Sequence, residues 1–179
     1  MQTMDSENTE TQKLESYNEQ IEKAYVAGFV DSNSSLGAYI SKDTDYSLGY
    51  NVECRIKLTR TMPFGLQLIQ DYCDDRGIQS YIKIVENQDK KDRYELIIKK
   101  HKQIQMFLKD IYPFMRDKRE QVELMVQAII PAINKGYHLD KNEFMKLVAM
   151  IEDLREMNPY VSSSQYTTEY FEEEWNYAR

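Results

Sequence analysis

Apolar and polar positions change rhythm repeatedly along this chain, and each change marks an element. From residue 17 to 31 the spacing is helical, with Ile21, Ala24, Tyr25, Gly28 and Phe29 on one face. Polar residues 32–35 end it. Residues 36–41 and 48–58 then alternate with period two, and the polar KDTDYS stretch between them predicts a hairpin loop. Thr61 is a plausible cap, with Pro63 in the first turn of a helix carrying Phe64, Leu68, Ile69 and Tyr72. Gly77 closes that helix. Alternation returns at 79–86 and 93–99 around the polar turn NQDKK. Ile104, Phe107, Leu108 and Ile111 mark a short helix stopped by Pro113. Val122, Met125, Val126, Ile129, Ile130 and Ile133 form one further helical stripe. Phe144, Leu147, Val148, Ile151 and Leu154 form another, closed by Pro159. The order α-ββ-α-ββ-α-α-α predicts an α+β fold: one four-stranded antiparallel sheet with helices on one face, followed by C-terminal helices.

Such a sheet keeps one open face, and period two names its residues. Ile40, Val52, Cys54 and Ile56 turn toward the core, as do Ile82, Ile84, Tyr94, Leu96 and Ile98. That leaves Tyr39, Ser41, Asn51, Glu53, Arg55 and Lys57 outward in the first hairpin. Tyr81, Lys83, Val85, Arg93, Glu95, Ile97 and Lys99 point outward in the second. The bases Arg55, Lys57, Lys83, Arg93 and Lys99 there outnumber the acids Glu53 and Glu95. A twisted ribbon of this charge suits a phosphate backbone, with Tyr39 and Tyr81 available to stack on bases. An ordinary solvated sheet face reads equally well from charge alone.

Charge along the chain changes how that face is weighed. The formal net charge is −7 and the pI near 5.0, which speaks against a nucleic-acid binder on average. Position reverses the argument. Residues 1–20 hold five acids against Lys13, and residues 160–179 hold four against Arg179. These ends carry the whole excess, so residues 21–159 are neutral. The expected organisation is a polar acidic tail at 1–16, one domain at 17–158, and an acidic aromatic tail at 159–179. The last segment reads as a solvated end or as a short helix docking on a neighbour. No apolar run reaches membrane-spanning length, and the N-terminus has neither signal- nor transit-peptide character. Cys54 and Cys73 are too few for a disulfide framework, which favours a reducing intracellular setting without distinguishing organelle, nucleus or cytoplasm. Two histidines and no paired CxxC give no zinc site.

The end of the first helix carries the most specific signal. Val26-Ala27-Gly28-Phe29-Val30-Asp31-Ser32-Asn33-Ser34 resembles the LAGLIDADG motif of homing endonucleases, with Ala27, Gly28 and Asp31 identical. Two hairpins and an intervening helix follow at the family's spacing. Pro113-Phe114-Met115-Arg116-Asp117-Lys118 is similar to the family segment that delivers a catalytic-pocket lysine, Lys118. The likeness is to the single-motif, intron-encoded, homodimeric branch and covers roughly residues 20–156. It implies an αββαββα core whose motif helices pack on each other through Ala27, Gly28 and Asp31. One motif per chain then implies a homodimer, or a heterodimer with a related subunit. It also implies a sheet saddle over nucleic acid, and Mg²⁺ held by an acid at the helix base against the scissile phosphates.

Departures from the family pattern fall on the chemistry. The metal-binding acid is replaced by Asn33, a neutral and weaker ligand, so no metal site is assigned. By ungapped count, the strand residue that orders water falls on Leu58, and a pocket cation falls on Met62. Lys118 remains, and Lys57, Arg60 and Arg116 stand near enough to add positive charge. The resemblance therefore implies a nucleic-acid-binding scaffold with cleavage lost or crippled, its ligand DNA or a structured RNA such as intron or ribosomal RNA, free or within a ribonucleoprotein. One alternative is an active site-specific endonuclease using Mg²⁺; the other is a dimerisation or protein-interaction module.

Overall fold

The computed structural model describes residues 3–86, 91–158 and 164–175. Helix α1 (Thr3–Asn33) leads into strands β1 (Ser34–Lys42) and β2 (Tyr50–Arg60), then helix α2 (Phe64–Asp75). Strands β3 (Tyr81–Val85) and β4 (Arg93–Ile98) follow, then helix α3 (His101–Ile111) and a 3₁₀ turn over Tyr112–Phe114. Helix α4 (Arg119–Glu123) continues through a π-helical stretch, Leu124–Ile129, into α5 (Ile130–Asn134). Helix α6 (Lys141–Glu156) and helix α7 (Thr168–Glu174) complete the chain. The sheet is antiparallel with order β1-β2-β4-β3, as the alternation predicted.

Strand β2 shows why the sheet forms where it does. It lies between β1 and β4, and its Val52, Cys54, Ile56 and Leu58 are all buried under the helices. Burial pushes the thiols of Cys54 and Cys73 up to about 12, so both behave as small apolar groups. The β1–β2 loop closes through Gly49 at φ 77°, whose carbonyl accepts from the Asp43 amide at 2.9 Å. Helix α2 starts after Pro63 rather than at a Thr61 cap, and no side chain caps it. Its end is a Schellman turn: Gly77, at φ 65°, donates to the Asp74 carbonyl while Ile78 donates to that of Cys73.

Four expectations change. Helix α1 begins at Thr3, so the segment read as a polar tail is the first half of a 31-residue helix. Its apolar face also points elsewhere than expected. Val26, Ala27 and Val30 enter the core, while Leu14, Tyr17, Ile21, Tyr25 and Gly28 stay exposed. Ile84, expected inward, is 59% exposed, near the end of the edge strand β3. The aromatic C-terminal segment is not a solvated end. Thr167 caps α7 by accepting from the Tyr170 amide, and Phe171 is fully buried. The Phe171 ring centroid lies 4.8 Å from that of Tyr50 and 5.1 Å from that of Phe144. Helix α7 thereby docks on α6 and the start of β2 within the same chain. Pro159 and most of the NQDKK turn lie outside the described residues.

At the other end of the domain, an ionic cluster fixes α1. Asp110 of α3 accepts from Lys23 at 2.7 Å, from the Tyr72 hydroxyl at 2.5 Å and from Arg76 at 3.1 Å. Arg76 also pairs with Glu22 at 2.9 Å. Burial pushes the Asp110 carboxyl up, but the hydrogen bonds from Lys23 and Tyr72 outweigh it and hold the group below its ordinary value.

Candidate nucleic-acid interface

The register assembles the outward residues into rows across all four strands. Ser35, Lys57, Ile97 and Tyr81 form one row, and Thr59, Glu95 and Lys83 form the next. On this face each acid sits between two bases. Glu95 meets Lys83 at 3.0 Å and Lys57 at 3.5 Å. Glu53 meets Arg55 at 2.7 Å and Lys99 at 3.6 Å. Burial raises both carboxyls, and the neighbouring cations more than reverse it, so both are held below the usual carboxylate range. The acids thus space the bases across the sheet while the face keeps its positive excess.

Tyr39 lies flat on this surface. A Cβ at Gly37 would fall 2.6 Å from the Tyr39 hydroxyl, so the ring covers the glycine, and the Arg55 guanidinium stands 5.1 Å from its centroid. Asn51 is half-buried opposite Ser41, and Tyr81 on the edge strand β3 and Arg93 at the start of β4 are exposed. Ile97 faces outward by register, as expected, yet is buried between the in-register residues Lys57 and Tyr81. The sheet therefore brings Tyr39, Asn51, Arg55, Lys57, Tyr81, Lys83, Arg93 and Lys99 onto one face.

A second group gathers at the C-terminal end of α1, where free carbonyls favour cations. Asp31 anchors it: its carboxylate accepts from the backbone amides of Arg116 at 2.8 Å and Lys118 at 3.1 Å. Lys118 returns a hydrogen bond from its ammonium to the Asp31 carbonyl. Burial lowers the Lys118 ammonium below its ordinary value, and Asp31 and Asp117 only partly offset this. Asn33 donates to the Phe29 carbonyl at 3.1 Å, and its side-chain oxygen accepts from Arg60 Nη1 at 2.8 Å. The Arg60 guanidinium also stands 5.6 Å from the Phe29 ring centroid.

This geometry corrects two assignments. Leu58 is fully buried in the core, so it is no pocket residue; Arg60 is the β2 residue that meets Asn33. The parity of β2 already carried that signal, since Val52, Cys54 and Ile56 place Leu58 inward. Met62 is exposed in the turn before α2. Ala27 is buried inside its own chain, which leaves Gly28, over which space is open, as the motif's small residue on the helix's outer face.

The pocket's donor set does not fit Mg²⁺. The Asn33 oxygen is committed to a guanidinium, and both Asp31 oxygens are committed to backbone amides. Among the described residues no group of three His, Cys, Asp or Glu side chains could hold a metal.

Solved structures supply the comparison. I-CvuI, bound to the I-CreI target in the presence of magnesium, matches with TM-score 0.71 and 22% identity over 88% of this chain and 94% of its own. The fold is that of the LAGLIDADG homing endonucleases. The archaeal intron-encoded enzyme I-Vdi141I, complexed with DNA, matches with TM-score 0.70 and 18% identity, over 89% of this chain and 99% of its own. I-SmaMI, a LAGLIDADG homing endonuclease bound to cleaved DNA, matches with TM-score 0.61 and 16% identity, over 82% of this chain but only 52% of its own. One copy of the LAGLIDADG fold here thus equals about half of that longer chain. No family model and no curated protein matches the sequence.

Proposed function

We propose that this chain binds nucleic acid, with duplex DNA as its principal ligand, through the open face of a LAGLIDADG-type sheet, and that it does not carry out metal-dependent cleavage at Asn33. The cluster of Arg55, Lys57, Lys83, Arg93 and Lys99 on the open sheet face carries this reading. The DNA complexes among the structural neighbours support it. Five bases against two acids give moderate binding that weakens steeply with salt, because affinity arises from counterion release. Fluorescence anisotropy with mixed-sequence duplex DNA and with structured RNA at matched salt tests the proposal. The triple variant Lys57→Glu, Lys83→Glu, Arg93→Glu should abolish binding; unchanged affinity in that folded variant would remove the sheet from the interface.

The chain acts as a dimer in this reading. An exposed stripe of Leu14, Tyr17, Ile21, Tyr25 and Gly28 runs along α1, and a single copy of the fold matches only half of I-SmaMI. An active endonuclease is the second reading, favoured by I-SmaMI's complex with cleaved DNA. A defined cut in a duplex library incubated with Mg²⁺ or Mn²⁺ would establish it. The acidic aromatic segment is no free ligand for a partner, since Phe171 and Trp175 pack within the chain.

A further inference from the structure

We infer that Arg60 and Lys118 form a fixed clamp for a backbone phosphodiester, with the Arg60 guanidinium standing where a divalent cation would have to sit against Asn33. The inference rests on the proposed nucleic-acid binding and adds that this pocket works without any metal.

Three observations lead to it. Arg60 is the exposed last residue of β2, two beyond the buried Leu58 on the helix side, so the pocket sits at the end of the strand beside the C-terminus of α1. The guanidinium is held from two sides, by the Asn33 oxygen at 2.8 Å and by the face of Phe29. Phe29 is itself seated by Gly65, where a Cβ would come within 2.8 Å of the ring. A guanidinium has five N–H donors in a rigid fork, so after bonding Asn33 it keeps donors for a phosphate oxygen.

The second cation is fixed in the same neighbourhood. Asp31 secures the 116–118 backbone, and the Lys118 ammonium bonds the Asp31 carbonyl with one of its three donors. Neither Arg60 nor Lys118 forms a side-chain ion pair among the described residues, in contrast to Arg55, Lys57, Lys83 and Lys99, which share Glu53 and Glu95. The residue at 33 matters for the same reason. An amide orients Arg60 without cancelling its charge, whereas a carboxylate there would form a charge-assisted pair and neutralise it. Asn33 and Arg60 are thus complementary: one supplies direction and the other supplies charge.

The test measures duplex affinity by anisotropy in EDTA and in Mg²⁺, for wild type, Arg60→Gln, Arg60→Lys and Asn33→Asp. Thermal unfolding confirms that each variant folds. Wild type should bind no more tightly in Mg²⁺ than in EDTA, since Mg²⁺ then acts only as a competing counterion. Arg60→Gln should lose about tenfold and flatten the salt dependence by about one phosphate contact per subunit, as removal of a phosphate-contacting base does. Arg60→Lys should recover only part of that loss, because an ammonium lacks the fork. Asn33→Asp should weaken binding in EDTA; tighter binding of the wild type on adding Mg²⁺ would show a metal site and overturn the clamp. An unaltered affinity and salt slope in Arg60→Gln would overturn it too. If wild type binds no duplex at all, the proposed function fails, and tripolyphosphate titrated onto the free protein decides the clamp. Arg60-dependent, EDTA-insensitive saturation then supports it, and no saturation overturns it.

Discussion

Glu95→Gln separates a sheet that meets phosphate from one that only faces water. The Glu95 side chain is 13% exposed and holds Lys83 at 3.0 Å and Lys57 at 3.5 Å. A phosphate bound on the far side of the Lys83 ammonium would lie roughly 6 Å from the carboxylate. Two unit charges at that distance repel by about 0.7 kcal/mol in water and about 2.8 kcal/mol at an effective dielectric of 20. With one face of the pair open to solvent, a value of about 1–2 kcal/mol applies, or about five- to thirtyfold in affinity. The same change removes two ion pairs and lowers folding stability by about 1 kcal/mol. Affinity and stability should therefore move in opposite directions. Duplex binding by anisotropy and urea unfolding of the free protein read the two. Unchanged or weaker binding by folded Glu95→Gln would refute the argument that Lys57 and Lys83 reach phosphate.

Three other outcomes follow from the packing and the charges. Phe171→Ala should cost about 3–5 kcal/mol, as for a fully buried aromatic; a wild-type Tm by calorimetry would mean that α7 undocks without involving the core. Asp110→Asn should cost about 2 kcal/mol at neutral pH by loosening α1 from α2 and α3. The Asp110 carboxyl is held below its unfolded value of about 3.9, so its contribution is complete above that pH and fades as pH falls through the folded value. Wild type and variant should therefore converge below about pH 4 and differ by a constant amount above about pH 5. Tyr25→Glu, on the exposed stripe of α1, should halve the mass seen by light scattering; an unchanged dimer mass would place the interface elsewhere.

Much of the fold is legible in the residues because burial on one side forces period two in strands and 3.6 in helices. Strand β2 illustrates this, with five inward residues, Tyr50, Val52, Cys54, Ile56 and Leu58, separated by polar ones. The first half of α1 escapes notice because its sequence is mostly polar, and residues 12–22 are exposed in the helix. Helix α7 is concealed by its acids, although Phe171, with Tyr170 and Trp175 beside it, anchors it to the core. At the pocket, counting residues along the chain without allowing for loop length points to Leu58. The parity of the strand points away from it, and parity is the physically stronger rule because a one-residue slip turns every side chain over. The sharing of Glu53 and Glu95 among four bases needs cross-strand register, which no local pattern encodes.

The two buried thiols leave the folded protein without a reactive handle, since Cys54 and Cys73 are its only cysteines. A single cysteine installed at an exposed position is then the one a maleimide can reach while the core stays closed. At Arg93 it would report the approach of a labelled duplex by energy transfer. At Gly28, where space is open above the helix, it would test the proposed dimer, since two copies meeting there would give a disulfide visible on a non-reducing gel. The chemistry the molecule lacks on its surface thus makes its geometry unusually easy to measure.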